Sequence, residues 1–138
     1  MADRFFFDTS VLIAYFSNED TKSEALIEDV LNGMVGGAVS AITVAELWHG
    51  VERASLQHKA RRQQYLEGVL APLPILPYTE QTAHEHARIW AELEAAGKMI
   101  GAYDLIVAAT ALERGSEVAT FNKRHFEVVA GLKVIEPQ

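Results

Sequence analysis

The chain has no cysteine. Disulfides and thiolate metal sites are therefore excluded, and the composition suits a reducing cytoplasm. Proline is scarce, at four residues in 138. Its one linker-like use, Pro72-Leu73-Pro74, is too short to divide two domains. With a length near the modal domain size, one domain over residues 1–138 is expected. Long hydrophobic runs are missing too. "LIVAATAL", Leu105 to Leu112, falls well short of the ~18 residues of a membrane span. Asp3, Arg4 and Asp8 break up the amino-terminal region, so no secretory signal is expected. These absences point to a soluble, cytoplasmic protein with no membrane partner.

Positive charge is also in short supply. Twelve Lys and Arg face nineteen Asp and Glu, a net charge of −7. Taken alone this argues mildly against nucleic acid, because phosphate binding usually shows as a basic surface. A bound metal ion could supply the missing charge. Two small basic groups, His58-Lys59 with Arg61-Arg62 and Lys123-Arg124-His125, read first as solvated faces.

What the chain does have is apolar material, 49% of its residues, enough for a core without staples. It alternates in character. Arg4–Phe7, Ala38–Ile42, Leu73–Leu76, Glu117–Thr120 and Lys133–Ile135 read as short strands. Between them lie helical patterns: Val11 to about Ser17, Thr21–Asn32 stopped by Gly33, and a helix from Thr43 with Val44, Leu47, Trp48 and Val51 on one stripe. A further helix passes through the basic stretch to about Val69. Glu80–Ala96 follows, with Ala83, Ala87, Trp90 and Leu93 in line and Gly97 as its stop, then Asp104–Arg114 ending at Gly115. Strands separated by helices predict a parallel sheet covered on both faces. The "LIVAATAL" helix, apolar nearly all round, should be deeply buried.

Three carboxylates interrupt this pattern at telling places. Asp8 ends the first strand, Glu46 lies in the first turn after the second, and Asp104 opens the buried helix. Ligands of open parallel sheets sit outside the carboxyl ends of strands. Each acid alone has a plainer reading: Asp8 as a cap, Thr43-Val44-Ala45-Glu46 as a capping box, Asp104 as a first-turn acid. Together they are harder to explain that way. Two carboxylates ~4 Å apart repel by ~4 kcal/mol at an effective dielectric of 20, so a cluster raises its proton affinity or binds a cation. Oxygen ligands without cysteine suit Mg²⁺ or Mn²⁺. Other constellations fail: Glu46-Leu47-Trp48-His49 is a single copy of a di-iron motif that needs two, and "GMVGG" lacks the Lys-Ser/Thr of a P-loop.

Four stretches in order, "FFFDTSVLIAYF", "SAITVAELWHGVERA", "IGAYDLIVAATALERG" and "VATFNKRHFEVVAGLKVIEP", resemble a PIN domain. More narrowly they resemble a VapC-type toxin ribonuclease of a type II toxin–antitoxin system. The resemblance covers Phe5 to Pro137. It implies a three-layer α/β/α domain with a short, mainly parallel sheet of about five strands, and an acidic pocket for one or two Mg²⁺ or Mn²⁺ ions. It makes Asp8 and Asp104 direct metal ligands, with Glu46 holding a water of the ion or a second ion. Thr9 or Ser10 would hydrogen-bond within the site. Asn122 takes the fourth position, where many relatives carry Asp, and His125 stands where an acid is common, so this chain offers a second metal fewer acids than those relatives do. Arg53, Lys98, Lys123 and Arg124 become candidates for the RNA backbone. The implied activity is metal-dependent hydrolysis of RNA leaving a 5′-phosphate and a 3′-hydroxyl. The implied partners are RNA, a second copy of the chain and a cognate antitoxin, the last lying against Thr21–Asn32 and Val44–Ala54.

Alternatives stay open. A degenerate PIN-like module would bind a partner without cutting. A haloacid-dehalogenase-type phosphatase also begins with Asp after an apolar strand, but it wants a second acid where this chain has Ser10. A receiver module would need an acid where the second strand ends in Thr43.

Overall fold

The computed structural model describes residues 4–17, 22–32 and 36–137. The expected start of the second helix at Thr21, and its stop at Gly33, lie outside them. Five strands, β1 (Phe5–Phe7), β2 (Gly37–Ser40), β3 (Ile75–Leu76), β4 (Glu117–Ala119) and β5 (Val134–Ile135), alternate with helices. The helices are α1 (Thr9–Ser17), α2 (Lys22–Leu31), α3 (Ala41–Glu52), α4 (Leu56–Leu70), α5 (Glu80–Ala96), α6 (Ala102–Arg114) and α7 (Lys123–Glu127).

All the strand pairs are parallel, in the order β3-β2-β1-β4-β5. The chain winds outward from β1 to β3, then crosses back over β1 to lay down β4. β1 is thus both the centre of the sheet and the point where strand order reverses, the place beyond the strand ends where open parallel sheets hold their ligands.

Side-chain alternation along the strands divides the core. Phe5, Phe7 and Val39 face one layer with Leu12, Ile27, Leu47, Val51, Leu66 and Leu70 of α1–α4. Phe6, Ala38 and Val118 face the other with Ile89, Leu93, Val107 and Phe126 of α5–α7. The triple Phe therefore supplies both layers from one three-residue strand. Ala108, Ala109 and Ala111 are fully buried, so α6 lies close on the sheet as its composition predicts. α2 also packs tightly. A Cβ on Gly37 would stand 2.7 Å from a methyl of Val30, so β2 needs glycine where that helix crosses.

Several sequence expectations shift. β2 stops at Ser40, whose hydroxyl accepts the Ile42 N–H at 3.2 Å and caps α3. Thr43 is consequently inside α3, not at its cap. No Thr43–Glu46 capping box exists, and the buried Thr43 Oγ1 has no partner among the described residues. β3 is only two residues long. α5 buries Thr82, Ile89 and Leu93, while Trp90 is exposed, so the Ala83/Ala87/Trp90 stripe is rotated off the core. Thr82 could be buried because its hydroxyl gives a hydrogen bond to Glu113 at 2.7 Å. The short helix α7 carries Lys123, Arg124 and His125, a segment for which the sequence pattern predicts no element.

Candidate active site

Asp8 leaves β1 at the reversal point, buried although it is an acid. Its backbone N–H continues the sheet by bonding Ala119 O at 3.0 Å. Its side chain is held by two hydroxyls. Ser10 Oγ and Thr120 Oγ1 each donate to Oδ2 at 2.8 Å. Those hydroxyls in turn accept backbone N–H groups: Phe121 to Ser10 at 3.0 Å and Asn122 to Thr120 at 2.9 Å. The turn after β4 is thereby tied to the turn after β1, and the carboxylate between them is fixed through Oδ2. Oδ1 is left over by both bonds.

Glu46 reaches the same rim from α3. Thr9 Oγ1 donates to its Oε1 at 2.7 Å. Asp104, in the first turn of α6, is joined by His125 of α7, whose Nδ1 lies 3.1 Å from Oδ2. Burial is the main cause that pushes the Glu46 carboxyl above its ordinary pKa; the charges of Asp8 and Asp104 add to it, against the Thr9 bond. Asp104 is also raised, first by burial and then by the charge of Asp8, with His125 pulling the other way. The charge of Asp8 at the end of β1 thus reaches the acids of α3 and α6 at the same rim, a mark of functional clusters. As they stand, no three acid or imidazole groups among the described residues are close enough to ligate one ion together.

The other sequence candidates separate. Thr9 and Ser10 both bond within the site. Asn122 is exposed, caps α7 through its backbone, and its side chain makes no capping bond. Lys123 is paired with Glu127 at 3.7 Å. Thr120 was not singled out from the sequence, though its place at the end of a strand beside β1 was a usable signal. Nor was the bond from His125 to Asp104, because it depends on α7.

The profile described as PIN domain matches residues 5–132. The chain belongs to the PIN domain family. It is 32% identical over 131 residues to the tRNA(fMet)-specific endonuclease VapC of Salmonella typhimurium, covering 95% of this chain and 96% of that one. It is 39% identical over 95 residues to Ribonuclease VapC2 of Haemophilus influenzae, 69% of this chain and 70% of that one. Among solved structures, a chain of the DNA-bound VapBC from Salmonella typhimurium superposes with a TM-score of 0.87 at 30% identity, covering 97% of this chain and 98% of that one. Within the PIN domain family this is therefore a VapC-type ribonuclease, and the α/β/α expectation holds with the sheet wholly parallel.

In this PIN domain Thr120 serves structure and site at once. Replacing it by Val is expected to destabilise the fold by ~1–3 kcal/mol, because Asp8 loses a donor and the Asn122 N–H an acceptor. Thr120→Ser should stay near wild type. Urea titration of the three proteins checks this; equal midpoints for Val and Thr would show that the hydroxyl ties nothing together.

Proposed function

We propose that this protein is the toxin of a type II toxin–antitoxin pair, an endoribonuclease that hydrolyses RNA phosphodiesters with Mg²⁺ or Mn²⁺ in the cytoplasm. The observation that carries the reading is the set of Asp8, Glu46 and Asp104 at one rim, where burial and then the charge of Asp8 raise the proton affinity of both Glu46 and Asp104. The donor set fits a hard divalent ion: carboxylate oxygens, no sulfur, and Asp8 Oδ1 left over by the hydroxyls that hold Oδ2. Magnesium keeps several waters and commonly takes only one or two carboxylates directly, which suits acids that stand near but not jointly around one point. Asp8 and Asp104 would hold it, with Glu46 acting through water. When bound, the ion neutralises the acids and polarises a phosphoryl oxygen.

The chain's own residues do the rest. Thr9 occupies Glu46 Oε1, leaving Oε2 to take a proton from the attacking water. The water oxygen bonds to phosphorus, the P–O3′ bond breaks, and the leaving oxygen takes a proton from solvent, giving a 5′-phosphate and a 3′-hydroxyl. Ser10 and Thr120 keep Asp8 from turning away. A partner antitoxin, as the name VapBC implies for the solved relative, and a second copy of the chain complete the assembly. No helix among the described residues is long and apolar enough to cross a membrane. Purified protein is expected to cut RNA with Mg²⁺ or Mn²⁺ and to stop when the ion is chelated; cleavage that persists in chelator would defeat the reading.

The raised acids also set a pH dependence. Protons bind Glu46 and Asp104 more tightly in the folded than in the unfolded chain, so metal-free stability from these groups is full below their ordinary values of 4.5 and 3.8 and is lost as pH rises through the raised ones. A cation competes with those protons. Mn²⁺ at roughly a hundredfold excess over its Kd is expected to add about 2.7 kcal/mol, and to raise the melting temperature more at pH 7.5 than at pH 4.5. Thermal melts at both pH values read this directly; an equal shift at both would mean that the ion binds elsewhere.

A further inference from the structure

Positive charge is scarce here, yet several exposed cations are left without acidic partners. Arg4, Lys59, Arg88 and Lys123 have acidic partners. Among the described residues Lys133, beside Arg4 and Glu117 at the opposite end of the sheet, has none. Among the described residues Arg53, Arg61, Arg62, Lys98 and Arg124 also have none, despite the excess of acids. These last five line two grooves. The first, about 660 Å³ between α1, α3 and α4, holds Arg53, Arg61, Arg62 and the exposed ring of Tyr65, and Glu46 forms part of its wall. The second, about 510 Å³, holds Lys98 and Arg124 with Met99 and His125. His125 bonds Asp104. The acids therefore lie between two largely apolar grooves that carry these cations, one joined through Glu46 and the other through His125.

We propose that single-stranded RNA crosses the protein from the Arg53/Arg61/Arg62 groove, over the three carboxylates, to Lys98 and Arg124, so that cations hold the phosphates on both sides of the one being cut. This rests on the ribonuclease reading and deepens it. An acidic rim in an acidic protein repels a polyanion. Unpaired guanidinium groups on either flank give the strand somewhere favourable to lie while the scissile phosphate meets the acids. The Arg61-Arg62 pair, a solvated face when read from sequence, is thereby assigned to substrate. Lys123, occupied by Glu127, is not.

The test uses the intact protein in chelator, with a fluorescein-labelled mixed-sequence 20-nucleotide single-stranded RNA, read by anisotropy across a salt series. Each single-strand phosphate contact contributes a slope of about 0.7 in log K against log salt. Arg61→Gln/Arg62→Gln and Lys98→Gln/Arg124→Gln should each weaken binding and lower the slope by about 1.4, and each should raise KM for RNA cleavage more than it lowers kcat. Arg61→Lys/Arg62→Lys should recover the slope, and Arg88→Gln should leave it unchanged. Unchanged slopes in both Gln pairs, with wild-type cleavage intact, would overturn the track and leave the ribonuclease standing. An unchanged slope in the Arg61/Arg62 pair alone assigns that groove to a protein partner and overturns the crossing. Wild-type protein that neither binds nor, with Mn²⁺, cuts RNA removes the ribonuclease reading and the track with it.

Discussion

Asp8→Asn is expected to reduce RNA cleavage by ~10³-fold or more while leaving the fold intact. Losing the negative oxygen would forfeit several kcal/mol of stabilisation that a bound ion provides at phosphorus, and each 1.36 kcal/mol is about tenfold in rate. The fold should survive because the substitution keeps the shape. Ser10 and Thr120 can still donate to an amide oxygen in place of Oδ2. Glu46 and Asp104 meanwhile lose a repelling neighbour, so the melting temperature in chelator should hold or rise. Cleavage of total RNA and a thermal melt on the same preparation separate the two effects. Near-wild-type cleavage by the Asn variant would remove Asp8 from the chemistry and leave it a structural acid.

Phe6→Ala is expected to have the largest effect on stability, a loss of ~3–5 kcal/mol. Phe6 is fully buried at the middle of the central strand, in register with Ala38 on one side and Val118 on the other. It packs into the layer formed by Ile89, Val107 and Phe126. Both strand neighbours on that face are small or β-branched, so nothing nearby can swing in to fill the void. A domain's whole stability is typically ~5–15 kcal/mol, so much of the margin goes with one ring. Urea unfolding should show a lower midpoint at an unchanged slope. A loss under about 1 kcal/mol would mean that the α5–α7 layer collapses onto the sheet more freely than its packing indicates.

Much of this fold and site is legible in the sequence. Short β-rich runs separated by amphipathic stretches gave five strands in sequence order, and Gly97 and Gly115 end α5 and α6 with left-handed backbones, as their positions predict. Asp8, Glu46 and Asp104 stood out because each breaks a pattern at the edge of an element. The misses share a cause. Thr43 matched a capping box locally, but the strand ended two residues earlier than its apolar pattern suggested, which moved the cap to Ser40. Trp90 seemed a core residue by spacing, yet it stacks on His86 at the surface while Thr82 goes inside. Thr120 and His125 act through partners more than twenty residues away. Such contacts have no period in the sequence; only the crossover from β3 to β4 creates them.

That crossover has a consequence for synthesis. β1 is complete by residue 7, but its partner on one side begins at residue 117, and the second of the two hydroxyls that hold Asp8 comes at residue 120. A ribosome that has made the first hundred residues carries neither Asp104 nor β4. The pairing that holds Asp8 in place therefore cannot form until residue 120 has been made.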